Sequence, residues 1–136
     1  MELTFAIELK VRNIEADVLG LINKYGLKDK VIITSFDLEN IKGVKKLCPE
    51  QMTGWLQVDF DEDKIKEMKD IGVEQICPKA VEATAEKIKQ WKNMGFSVRA
   101  WGVENIDIMK MAYNNGVGGM TVNFPDKLTE YLKGAE

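Results

Sequence analysis

Residues 3–35 read LTFAIELKVRNIEADVLGLINKYGLKDKVIITS. The stretch opens with an apolar run, Leu3–Leu9, bounded by charge. It closes with the β-branched run Val31–Ser35. Both suit strands. Between them, Ile14–Tyr25 places Ile14, Val18, Leu21, Ile22 and Tyr25 on one helical face, and Gly26 follows as a stop. A strand, a helix and a second strand make one crossover unit. A connection of this length returns the second strand parallel to the first.

The pattern continues along the chain. Leu38–Leu47, Glu62–Asp70, Ala80–Asn93 and Asn105–Asn114 read as helices. Thr53–Val58, Val73–Cys77, Phe96–Val103 and Val117–Val122 read as strands, and Pro125 opens a last helix that runs to about Leu132. Strand centres fall near Ala6, Ile33, Trp55, Gln75, Val98 and Met120, at intervals of 27, 22, 20, 23 and 22 residues. Six βα units at near-constant spacing predict an α/β fold with a parallel sheet. That sheet is either open and doubly wound or part of a (β/α)8 barrel, which needs eight strands to close. Neither GxGxxG nor GxxxxGK[ST] follows any strand. The commonest reasons to choose a dinucleotide-binding or P-loop sheet are therefore missing.

Composition narrows the function. A chain of 136 residues, 45% hydrophobic and 30% charged, predicts one domain over 1–136 with a core of its own. Nineteen Lys and Arg against 22 Asp and Glu leave a net charge of -3, so no basic excess exists to bind nucleic acid electrostatically. The chain has no histidine, which removes His-based triads, His general bases and HExxH zinc sites. Its two cysteines, Cys48 and Cys77, build neither a disulfide scaffold nor a four-cysteine metal site and read as core thiols. Glu2 follows Met1 with no long apolar segment behind it, and no run approaches the ~18–20 residues of a membrane span. The expectation is a cytoplasmic protein with no membrane span.

The first strand carries the most chemistry. Leu3, Phe5, Ile7 and Leu9 share one face, while Thr4, Ala6, Glu8 and Lys10 share the other. In a barrel the apolar face packs on helices and the mixed face points inward. Glu8 and Lys10 then stand at the C-terminal end of the strand, where barrel active sites are built. A carboxylate there can ligate Mg2+ or Ca2+, and a neighbouring ammonium can hold a phosphate. A solvated charge pair satisfies the same pattern. Arg99 and Trp101 share a face of the fifth strand, where Trp101 either walls a pocket or fills core. Ser35 or Asp37 caps the helix at Leu38. Gly116–Gly119 reads as turn and close packing, and Asp59–Asp70 as a solvated helix start and face.

Five segments in register resemble the glycerophosphodiester phosphodiesterase family. Ala6-Ile7-Glu8-Leu9-Lys10 resembles its I-E-[IL]-K strand. Lys24-Tyr25-Gly26-Leu27 and Val31-Ile32-Ile33-Thr34-Ser35-Phe36 resemble its K-Y-G-L and V-I-[IL]-S-S-F. Pro49 and Thr53-Gly54 sit where it has a proline and then T-G. Gly95-Phe96-Ser97-Val98-Arg99-Ala100-Trp101 resembles G-x-x-V-x-[AV]-W-T-V-N. Gly116–Met120 and Phe124-Pro125-Asp126 resemble the terminal G-V-D-G-I-x-T-D-[YF]-P-D.

The resemblance implies six βα units of a TIM-type (β/α)8 barrel, strands three to eight, incomplete in one chain. It implies a metal-dependent phosphoric diester hydrolase of lipid and glycerol metabolism. Glu8 then matches a metal ligand, Lys10 a phosphate or substrate contact, Trp101 the aromatic wall and Phe36 the mouth. Arg99 joins them as a contact for an anionic ligand. The family's H-R-G strand, its E-x-D strand and its H-D have no counterpart in this chain. T-V-N is Gly102-Val103-Glu104, the Asp before its Gly is Gly118, and T-D is Val122-Asn123. The expectation is little or no hydrolysis by the monomer and a divalent metal, Mg2+ or Ca2+, held weakly if at all. Six parallel strands also leave open edges, which a homo-oligomer or a partner chain would cover. The alternatives are a non-catalytic module for a phosphorylated small molecule and a self-assembling barrel fragment.

Overall fold

The computed structural model describes residues 5–122. The expected last helix from Pro125 and the Phe124-Pro125-Asp126 motif lie outside them. Six strands alternate with five helices, in two compact units. The first unit holds the chain up to Leu56 together with Phe60–Gln75, and the second holds Gln57–Asp59 and everything from Ile76 onward.

The first unit carries β1 (Phe5–Glu8), α1 (Glu15–Lys24), β2 (Val31–Ser35), α2 (Leu38–Leu47), β3 (Thr53–Gln57) and α3 (Glu62–Ile71). Its strands lie in the order β1-β2-β3 and pair in parallel, with Glu8 opposite Thr34 and Thr34 opposite Gly54. All five residues of β2 are buried, as both faces of a central parallel strand are. Leu9, Ile22, Val31, Ile33 and Val44 form the core, with Ile7, Ile14, Val18, Leu19 and Leu27 packed against it. Of the apolar face of β1, Ile7 and Leu9 pack in this cluster beside α1, while Phe5, expected with them, is exposed. Leu21 and Tyr25 do not follow: both are exposed, and Leu19 and Leu27 take the places that the spacing gave them. Cys48 is half-buried with its thiol facing Glu50, not a core thiol.

The second unit carries β4 (Gln75–Pro78) from Ile76 on, α4 (Ala85–Asn93), β5 (Ser97–Val103), α5 (Ile106–Asn114) and β6 (Gly119–Val122). β5 pairs with β6 in parallel, Arg99 opposite Gly119 and Ala100 opposite Met120, with a register shift before Val103. Ala80, Ala100, Val103, Met109 and Ala112 form its core. The amide of Gly118 donates to the Val98 carbonyl at 2.9 Å, so the glycine run is close packing as expected.

The helix expected over Ala80–Asn93 is broken. Ala80–Glu82 is a single 3-10 turn, and α4 starts only after Thr84, whose Oγ1 accepts from the Lys87 amide at 3.2 Å. A side-chain cap ends the N-terminal search for amide partners, so the helix begins where the hydroxyl is. Asp61 and Asn105 cap α3 and α5 in the same way. Thr84→Ala should cost about 1 kcal/mol of stability in urea unfolding. An unchanged midpoint would show that the cap contributes nothing.

Candidate functional site

In the first unit the site is built around one backbone residue. Leu9 is buried, and its amide donates to the Thr34 carbonyl at 2.8 Å. Its carbonyl accepts from Ser35 Oγ at 2.7 Å and from Asn40 Nδ2 at 3.4 Å. Asn40 Nδ2 also donates to Ser35 Oγ at 3.1 Å, and Ser35 Oγ accepts from the Asp37 amide at 3.0 Å. With Leu9 held on both sides, Glu8 and Lys10 alternate onto the opposite face, and both are exposed at the C-terminal end of β1. Ser35 and Asp37 divide the role expected of either: Asp37 Oδ1 caps α2 by accepting from the Glu39 amide, while Ser35 ties the strand ends together.

Phe36 follows the last residue of β2 and is 44% exposed. Its carbonyl accepts from the Trp55 indole nitrogen at 3.1 Å. Sequence reasoning missed Arg12. Its guanidinium donates from Nε to Asp37 Oδ2 at 2.6 Å and from Nη2 to Oδ1 at 3.4 Å. That hydrogen bond, followed by the Glu39 amide, holds the Asp37 carboxyl below the usual carboxylate range. In return Asp37 raises the Arg12 guanidinium.

In the second unit, Arg99 and Trp101 share a face of β5 and are half-buried. The Trp101 indole nitrogen donates to two carbonyls, Gln57 at 3.1 Å and Cys77 at 3.0 Å. The ring is thus fixed by backbone on one edge. The arm of Arg99 runs beside Gly119, its Cγ 3.6 Å from where a Cβ would stand. Lys79, also missed, follows the last residue of β4 and bridges to Trp101 in parallel. Its Nζ lies 5.9 Å from the centre of the Trp101 ring. Its place at a strand's C-terminal end was the signal that could have found it. Cys77 is buried, and burial pushes its thiol up to about 12 against the opposing pull of Arg99, so it is not a nucleophile.

Among the described residues the donor set does not fit a resident divalent ion. Mg2+ or Ca2+ takes about six or more oxygens, and one carboxylate supplies at most two. Among the described residues no three His, Cys, Asp or Glu side chains gather into a possible metal cluster. Among them, too, no helix is long and apolar enough to cross a membrane.

Three comparisons place this arrangement. The uncharacterized protein YqiK of Bacillus subtilis is 25% identical over 138 residues, spanning 95% of this chain and 57% of its own length. A glycerophosphodiester phosphodiesterase from Parabacteroides distasonis superposes with a TM-score of 0.84 at 18% identity, over 97% of this chain and 58% of that one. An Oleispira antarctica phosphodiesterase solved with its product sn-glycerol-3-phosphate gives 0.78 at 16% identity, over 96% and 55%. The structural likeness shows the fold: six parallel strands alternating with helices, of the TIM-barrel type, of the eight strands such a barrel needs. This chain spans little more than half the length of the relatives it matches. The profile of the glycerophosphoryl diester phosphodiesterase family matches residues 2–127, nearly the whole sequence, and the chain belongs to that family.

Proposed function

We propose that this chain binds a small phosphorylated ligand of the glycerophosphodiester class and, by itself, hydrolyses it weakly or not at all. The observation that carries the reading is the tethered end of β1, where Leu9 is fixed through Thr34, Ser35 and Asn40 and leaves Glu8 and Lys10 exposed. Lys10 contacts the phosphate as a point charge with three donors. Glu8 offers one metal ligand. Phe36 lines the mouth on the first unit. Taken by itself, the second unit offers Trp101 as a pocket wall and Arg99 as an anion contact. The family is generally metal-dependent, but the described residues by themselves do not complete a site for the ion.

Residues 1–136 act in this reading as one truncated domain of the family, in the cytoplasm. A second copy or a partner chain lies along β1, which is the edge strand of its unit and carries an exposed Phe5.

The test is calorimetric titration with sn-glycerol 3-phosphate. Lys10→Met should weaken binding about 10–100-fold, the worth of one charge-assisted hydrogen bond. Equal affinity in the variant, or no binding by the native chain, would contradict the reading.

A further inference from the structure

We propose that Lys79 sets the head-group preference of the Trp101 wall: its ammonium occupies the cation position on the ring, so the wall turns away quaternary-ammonium alcohols and takes polyol ones. The proposal rests on the reading of Trp101 as a pocket wall, and its observations all lie within the second unit. The backbone sets the pair side by side, through the parallel bridge between Lys79 and Trp101 and the Lys79 amide donating to the Val58 carbonyl at 3.2 Å. The ring is held at its nitrogen by the Gln57 and Cys77 carbonyls. Lys79 Nζ lies 5.9 Å from its centre, within the range of a cation–π contact.

Gly102 makes room for this. Its φ is +70°, and a Cβ there would stand 3.2 Å from Lys79 Cγ and 3.5 Å from Cε. The lysine stem therefore lies where any side chain at this position would crowd it. Among the described residues no carboxylate pairs with Lys79. A choline-type cation approaching the same ring meets a like charge a few ångströms away, well inside the ~8 Å Debye length at physiological salt. A glycerol-type alcohol carries no charge to be repelled, and its hydroxyls can accept from the Lys79 ammonium.

Tetramethylammonium is the first probe, because its binding needs no phosphate contact. The readout is the Trp101 indole N–H resonance of the full chain, assigned through Trp101→Phe, against sodium chloride of equal concentration. The native signal should stay fixed and that of Lys79→Met should shift, while Lys79→Arg, which keeps a cation, should behave as the native chain. A shift in the native chain, no shift in Lys79→Met, or a shift in Lys79→Arg would overturn the proposal. Glycerophosphoglycerol and glycerophosphocholine then report the preference itself. Lys79→Met should move their affinity ratio toward choline by about 2–30-fold, the span of one cation–π contact; an unmoved ratio counts against Lys79. If neither diester binds while the tetramethylammonium result stands, the ligand reading fails and the assignment of Lys79 does not.

Discussion

Lys45→Met should destabilise the chain by about 2–3 kcal/mol, a loss of ~30–150-fold in the folded-to-unfolded ratio. The Lys45 side chain is only 9% exposed. Its ammonium donates to Glu74 Oε1 at 2.6 Å, to the Gln51 carbonyl at 2.7 Å and to the Pro49 carbonyl at 3.2 Å. Glu74 Oε1 in turn accepts from the Thr53 amide at 3.3 Å and from Thr53 Oγ1 at 3.2 Å. One charged pair thus ties α2, the turn after it and the start of β3 together. Methionine keeps most of the stem volume and removes only the donors. Glu74 then loses its counter-charge, and two carbonyls lose a partner. Because Glu74 is about one-third exposed, water recovers part of the loss, which keeps the figure below that of a fully buried pair. Urea unfolding checks it, and Lys45→Met with Glu74→Gln should recover part of the stability. A midpoint equal to that of the native chain would show the pair to be inert.

The βα order was legible because each element carries its own punctuation. Asp37 and Pro49 bracket α2, and Leu38–Leu47 is read to the residue. Val31–Ser35 stands out because a strand buried on both faces is apolar throughout or nearly so. Ala80–Asn93 misled because the apolar spacing continues through Val81, while the break depends on one hydroxyl choosing one amide. Leu21 and Tyr25 have helical spacing, but Ile14, Val18 and Ile22 already face the core, and the adjacent stripe stays in water. In the site, Glu8 and Lys10 follow from alternation and from the rule that barrel chemistry sits at C-terminal strand ends. The clamp on Leu9 was hidden, since Asn40 lies 31 residues away and meets it only through the register of β1 and β2. Lys79 and Trp101 are likewise joined by pairing and not by local sequence.

Hydrolysis by the 136-residue chain alone should be slower than a complete site allows by at least ~10²–10⁴-fold, the worth of general acid–base assistance. The reason lies in the inventory. Departure of an alkoxide near neutral pH needs a proton, and with no histidine that role falls to another group, such as a lysine or a water. Lysine ordinarily titrates near 10.4, about three units above neutrality, and makes a poor acid. Glu8 is one carboxylate where a hard cation wants several ligands.

The most direct measurement is release of sn-glycerol 3-phosphate from glycerophosphoglycerol and glycerophosphocholine by the purified chain, with Mg2+, Ca2+ or EDTA, beside Glu8→Gln. The account predicts no metal-dependent turnover above that of Glu8→Gln, together with measurable binding of the product. Metal-dependent turnover that Glu8→Gln abolishes would contradict it, and would mean that copies of this chain assemble a working site without histidine.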